Sequence, residues 1–206
     1  YPVTCVEYYR FMEAGGYGDR RWWSPEGWEW LQANPVDRPL YWREDLARSQ
    51  HPVCGVSWYE AEAYCNFVGK RLPTEAEWEK AASWEPATGT KRTYPWGETE
   101  PDNNKCNCDR AFIGTTAVGA FPDGASPYGC QELLGNVWEW TASWFDGYDR
   151  FEFFPYRGYS QAYFDGKHRV LKGGSWTTRP FAMRCSFRNW YYPGVREIFA
   201  GFRCAF

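Results

Sequence analysis

An arginine, an asparagine and three aromatic residues follow one another near the carboxyl end of the chain. They are Arg188, Asn189, Trp190, Tyr191 and Tyr192. A guanidinium group can clamp a carboxylate, and a carboxamide both donates and accepts hydrogen bonds. Aromatic faces attract cations, including quaternary ammonium groups. This set of residues predicts a site for a zwitterionic small molecule, although an Arg188 that caps a loop and a Trp190 that fills the core would explain it equally well.

Short apolar runs flank this polar and aromatic segment on both sides. Val170 and Leu171 lead into two glycines, which suit a bulge or the close approach of another backbone segment. Between residues 201 and 206 the side chains alternate, with Phe202, Cys204 and Phe206 on one side, as in a strand. A strand, an excursion and a returning strand would present side chains to a ligand, so we expect the function to lie in this excursion.

A calcium site is a second candidate. Asn107, Gly135 and Glu139 could supply side-chain oxygens and a backbone carbonyl, which are the ligands that Ca²⁺ takes. Turn capping by the asparagine, with a solvated glutamate between two buried tryptophans, explains the same residues as well.

Other catalytic sites lack their residues in this chain. The two histidines, His51 and His168, lie far apart, so a Ser/His/Asp triad has no support. A mononuclear zinc or iron site needs about three histidine or carboxylate ligands. The sequence around Ser175 lacks the strand–turn–helix pattern of a nucleophile elbow. As a free-standing metalloenzyme, the chain is short of ligands.

Composition limits the classes of partner. The 206 residues are enough for one domain with a good core, and the net charge of −3 without a basic run argues against nucleic-acid binding. No apolar run approaches the length of a membrane span, and no signal-peptide pattern is present, so we expect no membrane partner. Because the sequence starts at Tyr1 rather than Met, we expect a piece of a longer or processed protein.

Eight cysteines permit disulfides, but a chain of 206 residues does not depend on them. Cys106-Asn-Cys108 matches neither a redox Cys-x-x-Cys motif nor a zinc knuckle. We therefore predict mostly free, buried thiols in a reducing, cytoplasmic compartment.

Three helices are predicted at capping boxes, in which a Ser or Thr and the Glu three residues later satisfy free N–H groups of the first turn. They run from Thr4 to about Met12, from Ser57 to about Phe67 and from Thr74 to about Ser83. Further strands are expected at 118–121 and 137–141, and long loops at 17–56, 86–131 and 144–168. With aromatic residues at 21%, 20 glycines and 14 prolines, we predict one α+β domain over residues 1–206 with little regular secondary structure.

Six motifs along the whole chain resemble the formylglycine-generating-enzyme-like, or sulfatase-modifying-factor, domain. They are His-Pro-Val-x-Gly-Val-Ser-Trp-Tyr-Glu-Ala (51–61), Arg-Leu-Pro-Thr-Glu-Ala-Glu-Trp-Glu (71–79), Tyr-Pro-Trp-Gly (94–97), Gly-Asn-Val-Trp-Glu-Trp-Thr (135–141), Gly-Gly-Ser-Trp (173–176) and Gly-Phe-Arg (201–203). The resemblance implies a divergent C-type-lectin-like fold.

Further motifs resemble one branch of that superfamily, the C-terminal domain of ergothioneine- and ovothiol-type sulfoxide synthases. They are Pro-Tyr-Arg-Gly-Tyr-Ser (155–160), Tyr-Phe-Asp-Gly-Lys-His (163–168), Ser-Phe-Arg-Asn-Trp-Tyr-Tyr-Pro (186–193) and Ile-Phe-Ala-Gly-Phe-Arg (198–203). The resemblance implies a non-haem iron(II), O2-dependent enzyme. It joins the thiol of cysteine or γ-glutamylcysteine to the imidazole of histidine or trimethylhistidine. The iron ligands of that family lie on a separate N-terminal helical domain, which this chain does not contain.

The same resemblance implies roles for individual residues. Tyr156 matches the catalytic tyrosine of the family, a phenol that can donate a proton or a hydrogen bond to iron-bound oxygen. Tyr159 and Asn189 match positions that hold the imidazole substrate, and Trp190 and Tyr191 would line the pocket. Together with Arg188, these are the predicted substrate-binding residues.

The chain departs from the actinobacterial members of that branch at two positions. Those members have an Asp directly after the Asn-Trp pair and an Arg four residues further on, which grip the glutamyl part of γ-glutamylcysteine. Tyr191 and Val195 stand there in this chain. Free cysteine is therefore the thiol that we expect, with ovothiol-type and selenium-using relatives left open.

Two alternatives share the fold. Formylglycine generation is disfavoured, because the copper-binding cysteine pair of that enzyme is replaced by Thr177, Thr178 and Met183. A lectin-like ligand-binding or display protein without chemistry is the other alternative. An iron-binding domain on the same polypeptide would decide against it.

Overall fold

The protein is described by a computed structural model that covers residues 1–206 apart from the side chain of Tyr159. The α-helices of this described part are α1 (Cys5–Glu13), α2 (Pro25–Ala33), α3 (Trp58–Phe67) and α4 (Glu75–Ser83). The strands are β1 (Trp84–Glu85), β2 (Thr90–Lys91), β3 (Trp138–Trp144), β4 (Arg169–Lys172), β5 (Asn189–Tyr191) and β6 (Ala200–Phe202). Long irregular segments join them, which confirms the predicted α+β class. Among the described residues, no helix combines the length and the apolar character that crossing a bilayer requires.

The three predicted helices begin at their capping boxes. The side chains of Thr4, Ser57 and Thr74 each accept a hydrogen bond from the backbone N–H of the Glu three residues later. Each of those glutamates accepts a bond from the backbone N–H of the capping residue in return. Because these bonds satisfy donors that a helix leaves free at its start, the helices begin where the sequence predicts them.

Helix α2 lies inside the segment 17–56, which the sequence predicts to be a loop. Ser24 caps it by accepting a bond from the backbone N–H of Gly27, and Pro25 occupies the first turn. A proline costs no hydrogen bond there, because the N–H groups of the first turn have no partner in the helix. The Ser24-Pro25 pair therefore indicates a helix start, but the many Trp, Gly and Pro residues around it led to the prediction of a loop.

Four strands form one sheet in the order β5–β4–β3–β6. Strand β3 pairs antiparallel with β4 and parallel with β6, while β4 pairs antiparallel with β5. Strands β1 and β2 form a separate antiparallel pair. Trp140 lies opposite Leu171 on one side and Phe202 on the other, so these three side chains share one face of the sheet.

Three predictions about strands differ from the structure. Residues 118–121 form a turn rather than a strand, and Gly119 has the positive φ of 81° that a strand does not allow. The segment around residue 189, predicted as an excursion between strands, contains the edge strand β5. The predicted alternation after residue 201 holds as far as Cys204, whereas Phe206 is 94% exposed.

The face of the sheet that carries Trp140 packs against α1 and α3 through aromatic rings. Tyr8 stacks on Tyr64 with the ring centroids 5.4 Å apart, and Tyr64 meets the edge of Phe202 at 5.4 Å. Pairs of this kind stabilise a core by about 0.5–1.5 kcal/mol beyond the burial of their area. Contacts between aromatic rings thus form much of the packing on this face.

The opposite face combines apolar side chains with buried ion pairs. Trp78 and Met183 belong to its apolar cluster. The carboxylate of Glu139 lies 2.5 Å from Nε of Arg203 and accepts a bond of 2.7 Å from the indole of Trp78. Lys172, which lies opposite Glu139 in the sheet, has its Nζ 2.9 Å from Glu79. Each of these buried charges has an opposite charge beside it, as burial requires.

The two glycines after β4 permit a close backbone approach, as the sequence predicts. Gly173 has a φ of 90°, and a Cβ atom there would lie 2.6 Å from the carbonyl oxygen of Leu133. Only glycine fits such a position without strain. The segment before β3 is therefore held against the end of β4.

Candidate functional site

Strand β5 carries three of the predicted substrate-binding residues, Arg188 directly precedes it, and the four side chains are divided between two faces of the sheet. Side chains alternate along a strand, so Asn189 and Tyr191 point to one side and Arg188 and Trp190 to the other. The contacts agree, because Arg188 and Trp190 both lie on the ring of Phe145. The sequence motif therefore forms two surfaces rather than one pocket wall.

Arg188 takes part in a network of charged and polar side chains. Its Nε lies 2.7 Å from the carboxylate of Glu75, which also accepts a bond of 2.8 Å from the phenol of Tyr148. Burial, followed by the Glu75 charge, raises the pKa of the Tyr148 phenol. The Nζ of Lys172 lies 3.7 Å from the same carboxylate. The charge of Arg188 is therefore already compensated within the protein.

A cleft of about 910 Å³ opens beside this network. Its walls include Glu75 and Ala76 of α4, Trp144 at the end of β3, Tyr148, and Arg188. Of the predicted substrate-binding residues whose side chains the structure describes, Arg188 is the one that lines it. The cleft therefore offers mainly groups whose charges are neutralised by their neighbours.

Trp190 belongs to an aromatic stack rather than to an open surface. Its ring stacks on Phe145 with the centroids 4.2 Å apart and lies 5.4 Å from Tyr163. Nearby, the ring of His168 lies 4.1 Å from Tyr192, and its Nδ1 lies 2.9 Å from Asp165. The interpretation of Trp190 as a packing residue thus has direct support, although its edge remains half-buried.

Asn189 and Tyr191 lie on the other face of the edge strand. The side-chain oxygen of Asn189 accepts a bond of 2.9 Å from the backbone N–H of Trp190, and its Nδ2 donates to no described residue. Asn189 is half-buried, and Tyr191 is 37% exposed. An available amide donor beside an exposed phenol can bind a polar ligand, as the sequence predicts for these two residues.

Tyr156 lies in a segment of exposed aromatic residues. Its side chain is 60% exposed, and that of the neighbouring Phe154 is 86% exposed. The other members of this aromatic segment are Tyr148, Phe151, Phe153 and Tyr163, all at least 40% exposed. Tyr159, a predicted substrate-binding residue, follows in the same segment, but its side chain lies outside the described part of the structure. An apolar surface of this kind marks an interaction site.

The predicted calcium residues fall into two environments. Asn107 is fully buried, and its Oδ1 has no hydrogen-bond partner. A Cβ atom on Gly135 would lie 2.3 Å from the carbonyl oxygen of Asn107, so these two residues are in backbone contact. Glu139, by contrast, directs its carboxylate to Arg203 and Trp78.

Two residues that the sequence did not single out join Asn107. They are Asn136 and Glu132. The side-chain amide of Asn136 lies between Asn107 and Glu132: its Oδ1 is 3.4 Å from Nδ2 of Asn107, and its Nδ2 is 3.1 Å from Oε2 of Glu132. The Oε1 of Glu132 has no partner, and burial raises the pKa of this carboxyl to about 7. The positive φ values of Glu132 and Asn136, 57° and 63°, were not readable from residue type. Oxygen atoms of amides and carboxylates are the kind of ligand that a hard cation takes.

Iron has no comparable fit. Among the described residues, no three His, Cys, Asp or Glu side chains come together in a way that could hold a metal ion. The eight cysteines are free thiols, four of them buried and four half-buried, which confirms the predicted thiol state. No step of a reaction can therefore be assigned to iron held by the described residues of this chain.

Comparison with known families adds the decisive observation. The family described as "Sulfatase-modifying factor enzyme 1-like domain" matches residues 1–206. The chain belongs to this family. The domain family that the sequence motifs resemble is thereby confirmed.

The curated relatives agree with the predicted branch. The hercynine oxygenase of Mycobacterium tuberculosis is 45% identical over 99% of this chain and 51% of its own length. That of Mycolicibacterium smegmatis is 42% identical over 99% of this chain and 51% of its own length. The formylglycine-generating enzyme of Mus musculus is 36% identical over 89% of this chain and 50% of its own length. The chain thus spans about half the length of the curated relatives it matches.

Solved structures confirm the fold. Treponema denticola variable protein 1 superposes with a TM-score of 0.60 at 25% identity, covering 84% of this chain and 78% of that one. PvdO from Pseudomonas aeruginosa gives 0.57 at 22% identity, covering 84% of this chain and 73% of its own. The likeness to PvdO concerns the fold alone. It is the fold that the sequence motifs predict.

Proposed function

We propose that this chain is the substrate-binding, C-terminal part of a non-haem iron(II), O2-dependent sulfoxide synthase. The enzyme would form a C–S bond between a cysteine-type thiol and the imidazole of histidine or trimethylhistidine in ergothioneine biosynthesis. The similarity to hercynine oxygenases, over about half of their length, supports this proposal. The structural observation that carries it is the available amide of Asn189 on an edge strand.

Residues of this chain would bind and orient the substrates. Asn189 would donate a hydrogen bond from Nδ2 to the imidazole substrate, and Tyr191 would lie beside it on the same face. The phenol of Tyr156 would donate a proton or a hydrogen bond from Oη during the reaction. Tyr159 is proposed as a second contact to the imidazole. Arg188, whose charge Glu75 compensates, would position the loop of Asp146 through its bond of 2.9 Å to that carbonyl oxygen.

The iron would be held by another part of the polypeptide. We propose an N-terminal iron-binding helical domain as the partner of residues 1–206, which would themselves form a single domain in the cytoplasm. The exposed aromatic segment that contains Tyr156 is the surface that we assign to this contact, since apolar rings of this number are seldom left in water.

Free cysteine is the thiol that we propose. An acidic and a basic side chain would be needed to grip a glutamyl group, whereas a tyrosine and a valine occupy the matching positions 191 and 195. Competition between cysteine and γ-glutamylcysteine in one assay measures the preference. We expect cysteine to have the higher kcat/KM.

Calcium is proposed as a structural ion near Asn107 and Gly135, with the Oε1 of Glu132, which has no hydrogen-bond partner, as a further ligand. Binding to the folded state alone raises the melting temperature with ion concentration. We expect Ca²⁺ to raise the Tm of the native protein and to raise it less in Asn107→Ala. An equal Ca²⁺ effect in Asn107→Ala, or no effect in the native protein, would contradict the proposal. Magnesium at the same concentration is the control, because Mg²⁺ fits such irregular oxygen sites poorly.

Two substitutions in the full-length protein test the synthase assignment. Asn189→Ala should raise the KM for the imidazole substrate about tenfold or more, because a donor to the substrate is lost. Tyr156→Phe should lower kcat about 10²-fold with little change in KM, because only the hydroxyl is removed. Sulfoxide formation followed by mass spectrometry, with O2 uptake on the same sample, measures both.

Matched controls are available at exposed positions. Asn103→Ala and Tyr128→Phe remove the same groups from surface residues and should leave both constants unchanged. A full-length protein that binds iron but makes no sulfoxide would overturn the synthase proposal. A ligand-binding protein without chemistry would then be the better assignment.

A further inference from the structure

Arg169 differs from four other buried or half-buried cations, Lys172, Arg188, Arg196 and Arg203, which all have a carboxylate beside them. Nε of Arg188 lies 2.7 Å from Glu75, Nε of Arg196 lies 3.0 Å from Glu60, and the same atom of Arg203 lies 2.5 Å from Glu139. Nζ of Lys172 lies 2.9 Å from Glu79. Arg169 forms no ion pair within 4.0 Å in the described part of the chain. A half-buried guanidinium without a counter-charge is costly to keep.

Two tryptophans hold the guanidinium group of Arg169 in one place. Its Cζ lies 3.9 Å from the ring centroid of Trp58 and 3.4 Å from that of Trp144. Nη1 donates a bond of 2.6 Å to the carbonyl oxygen of Ala142. Such stacking fixes the plane of the fork without neutralising its charge. The group is therefore oriented before any ligand arrives.

The remaining donors of Arg169 have no described partner. Nε is buried without a hydrogen bond, whereas Nη2 is not buried. The nearest acidic influence is Glu62, whose Oε2 accepts a bond of 2.6 Å from Ser24. Because burial outweighs the effect of Glu62, the pKa of Arg169 is lowered to about 10, which leaves it charged at neutral pH. A positive charge with a free donor is available for an anion.

The backbone of Arg169 lies beside the proposed substrate contacts, whereas its guanidinium group lies towards β3, at Trp144 and the carbonyl oxygen of Ala142. Arg169 lies directly opposite Tyr191 in the antiparallel pair of β4 and β5, and Asn189 lies two residues before Tyr191 on the same face. Directly opposed side chains have Cβ atoms about 5 Å apart, and diagonal neighbours about 7–8 Å. An amino acid held by Asn189 would have to extend its carboxylate across β4 to reach the guanidinium.

We propose that Arg169 is the carboxylate-binding residue of this site and that it sets the requirement for an amino-acid substrate. The proposal rests on the proposed function only in its choice of ligand. The α-carboxylate could belong to the imidazole substrate or to the thiol substrate. The group that binds it is the same in both cases, a charge-assisted donor already fixed between two indole rings.

Binding measurements on the iron-loaded full-length protein test the proposal. Trimethylhistidine and its carboxamide form one pair of ligands, and cysteine and cysteinamide form the other. In the native protein, the acid of one pair should bind about tenfold or more tightly than its amide. Arg169→Met keeps the stem between the rings and removes the charge, so that this ratio should fall to about one. The pair whose ratio changes identifies the substrate that supplies the carboxylate.

Control variants separate this role from a structural one. Arg169→Lys keeps the charge without the planar fork, and it should retain part of the preference for the acid. Arg21→Gln removes an arginine whose side chain is 77% exposed and should change neither ratio. If Arg169→Met does not fold, the ratio measured for Arg169→Lys decides, because an unchanged ratio in that variant overturns the proposal. Equal ratios in native protein and Arg169→Met overturn it as well.

A separate experiment keeps the proposal testable if neither amino acid binds, an outcome that would count against the proposed function alone. Acetate should raise the Tm of the native protein above that in chloride of equal ionic strength, because an anion that binds the folded state stabilises it. Arg169→Met should lose this difference. A native protein that shows the same Tm in acetate and chloride would overturn the assignment of Arg169.

Discussion

Glu139, in β3, and Glu132, in the loop before it, are both buried, yet only Glu139 has a cation at its carboxylate. The same contrast occurs on strand β4, where Lys172 has Glu79 beside it and Arg169 has no carboxylate within 4.0 Å among the described residues. The paired charges lie in the middle of the sheet, between the packed layers. Arg169 lies at the end of β4 opposite the edge strand, and Glu132 lies in a loop. The paired charges are satisfied within the protein, whereas the unpaired ones are the groups that we propose for ligand sites.

The largest effect is expected at the paired glutamate. Glu139→Ala would leave Arg203 buried without a counter-charge and the indole N–H of Trp78 without its acceptor. Breaking a buried pair from one side costs about 3–5 kcal/mol in the free energy of unfolding. Urea unfolding measures it, with Glu44→Ala as the control, because the Glu44 side chain is 80% exposed. A loss below that of the control would show that this pair does not support the scaffold.

An effect of opposite sign is expected at the unpaired glutamate. Burial raises the pKa of Glu132 to about 7, so its favourable contribution is complete below pH 4.5 and is lost as the pH rises through 7. Glu132→Gln keeps the shape without the charge and should raise the free energy of unfolding at pH 8 by about 1–3 kcal/mol. It should also flatten the decline between pH 5 and pH 8.

Urea unfolding in a calcium chelator, at several pH values, measures this effect without interference from bound ions. Glu100→Gln, at an exposed position, is the control and should leave the pH profile unchanged. A Glu132→Gln variant that is less stable than the native protein at pH 8 would show that the surroundings stabilise the charged carboxylate more than burial penalises it. The contrast with Glu139 would then disappear.

The smallest effect is expected at an exposed ion pair, which belongs to neither class. The hydrogen bond from Arg71 lowers the pKa of Glu77 to about 2, so the contribution is present above pH 4.5 and is lost as the pH falls towards 2. Glu77→Gln keeps the capping box and removes only the charge. Because both side chains are nearly half exposed, the loss at pH 7 should stay below about 1 kcal/mol.

Glu7→Gln supplies the matched comparison, since it changes the same position of the capping box of α1, where no ion pair of the described residues is involved. Urea unfolding from pH 2.5 to pH 7 should show a flatter profile for Glu77→Gln than for Glu7→Gln. A loss above about 2 kcal/mol in the free energy of unfolding for Glu77→Gln would show that this exposed pair stabilises the fold as strongly as a buried pair does.

Local signals predicted what local interactions determine. The capping boxes at Thr4, Ser57 and Thr74 specify the helix starts within a few residues, because all their partners lie within one turn. The glycine at 173 predicted a close backbone approach because no other residue fits it. By contrast, the division of Arg188 and Asn189 between two faces depends on the register of β5 with β4, which the motif alone does not contain. Arg169 drew no attention in the sequence because its lack of a counter-charge is a fact of three-dimensional packing.

Strand β6 imposes an order on the assembly of the core during synthesis. Phe202 fits between Tyr8 and Tyr64, whose rings lie 6.2 and 5.4 Å from it. The backbone oxygen of Phe202 also accepts a bond of 2.8 Å from Val3. Contacts across nearly two hundred residues form slowly, and a chain emerging from the ribosome cannot make them until its last strand is free. Until β6 is synthesised, the parts of the Tyr8 and Tyr64 rings that Phe202 contacts in the folded domain therefore stay uncovered.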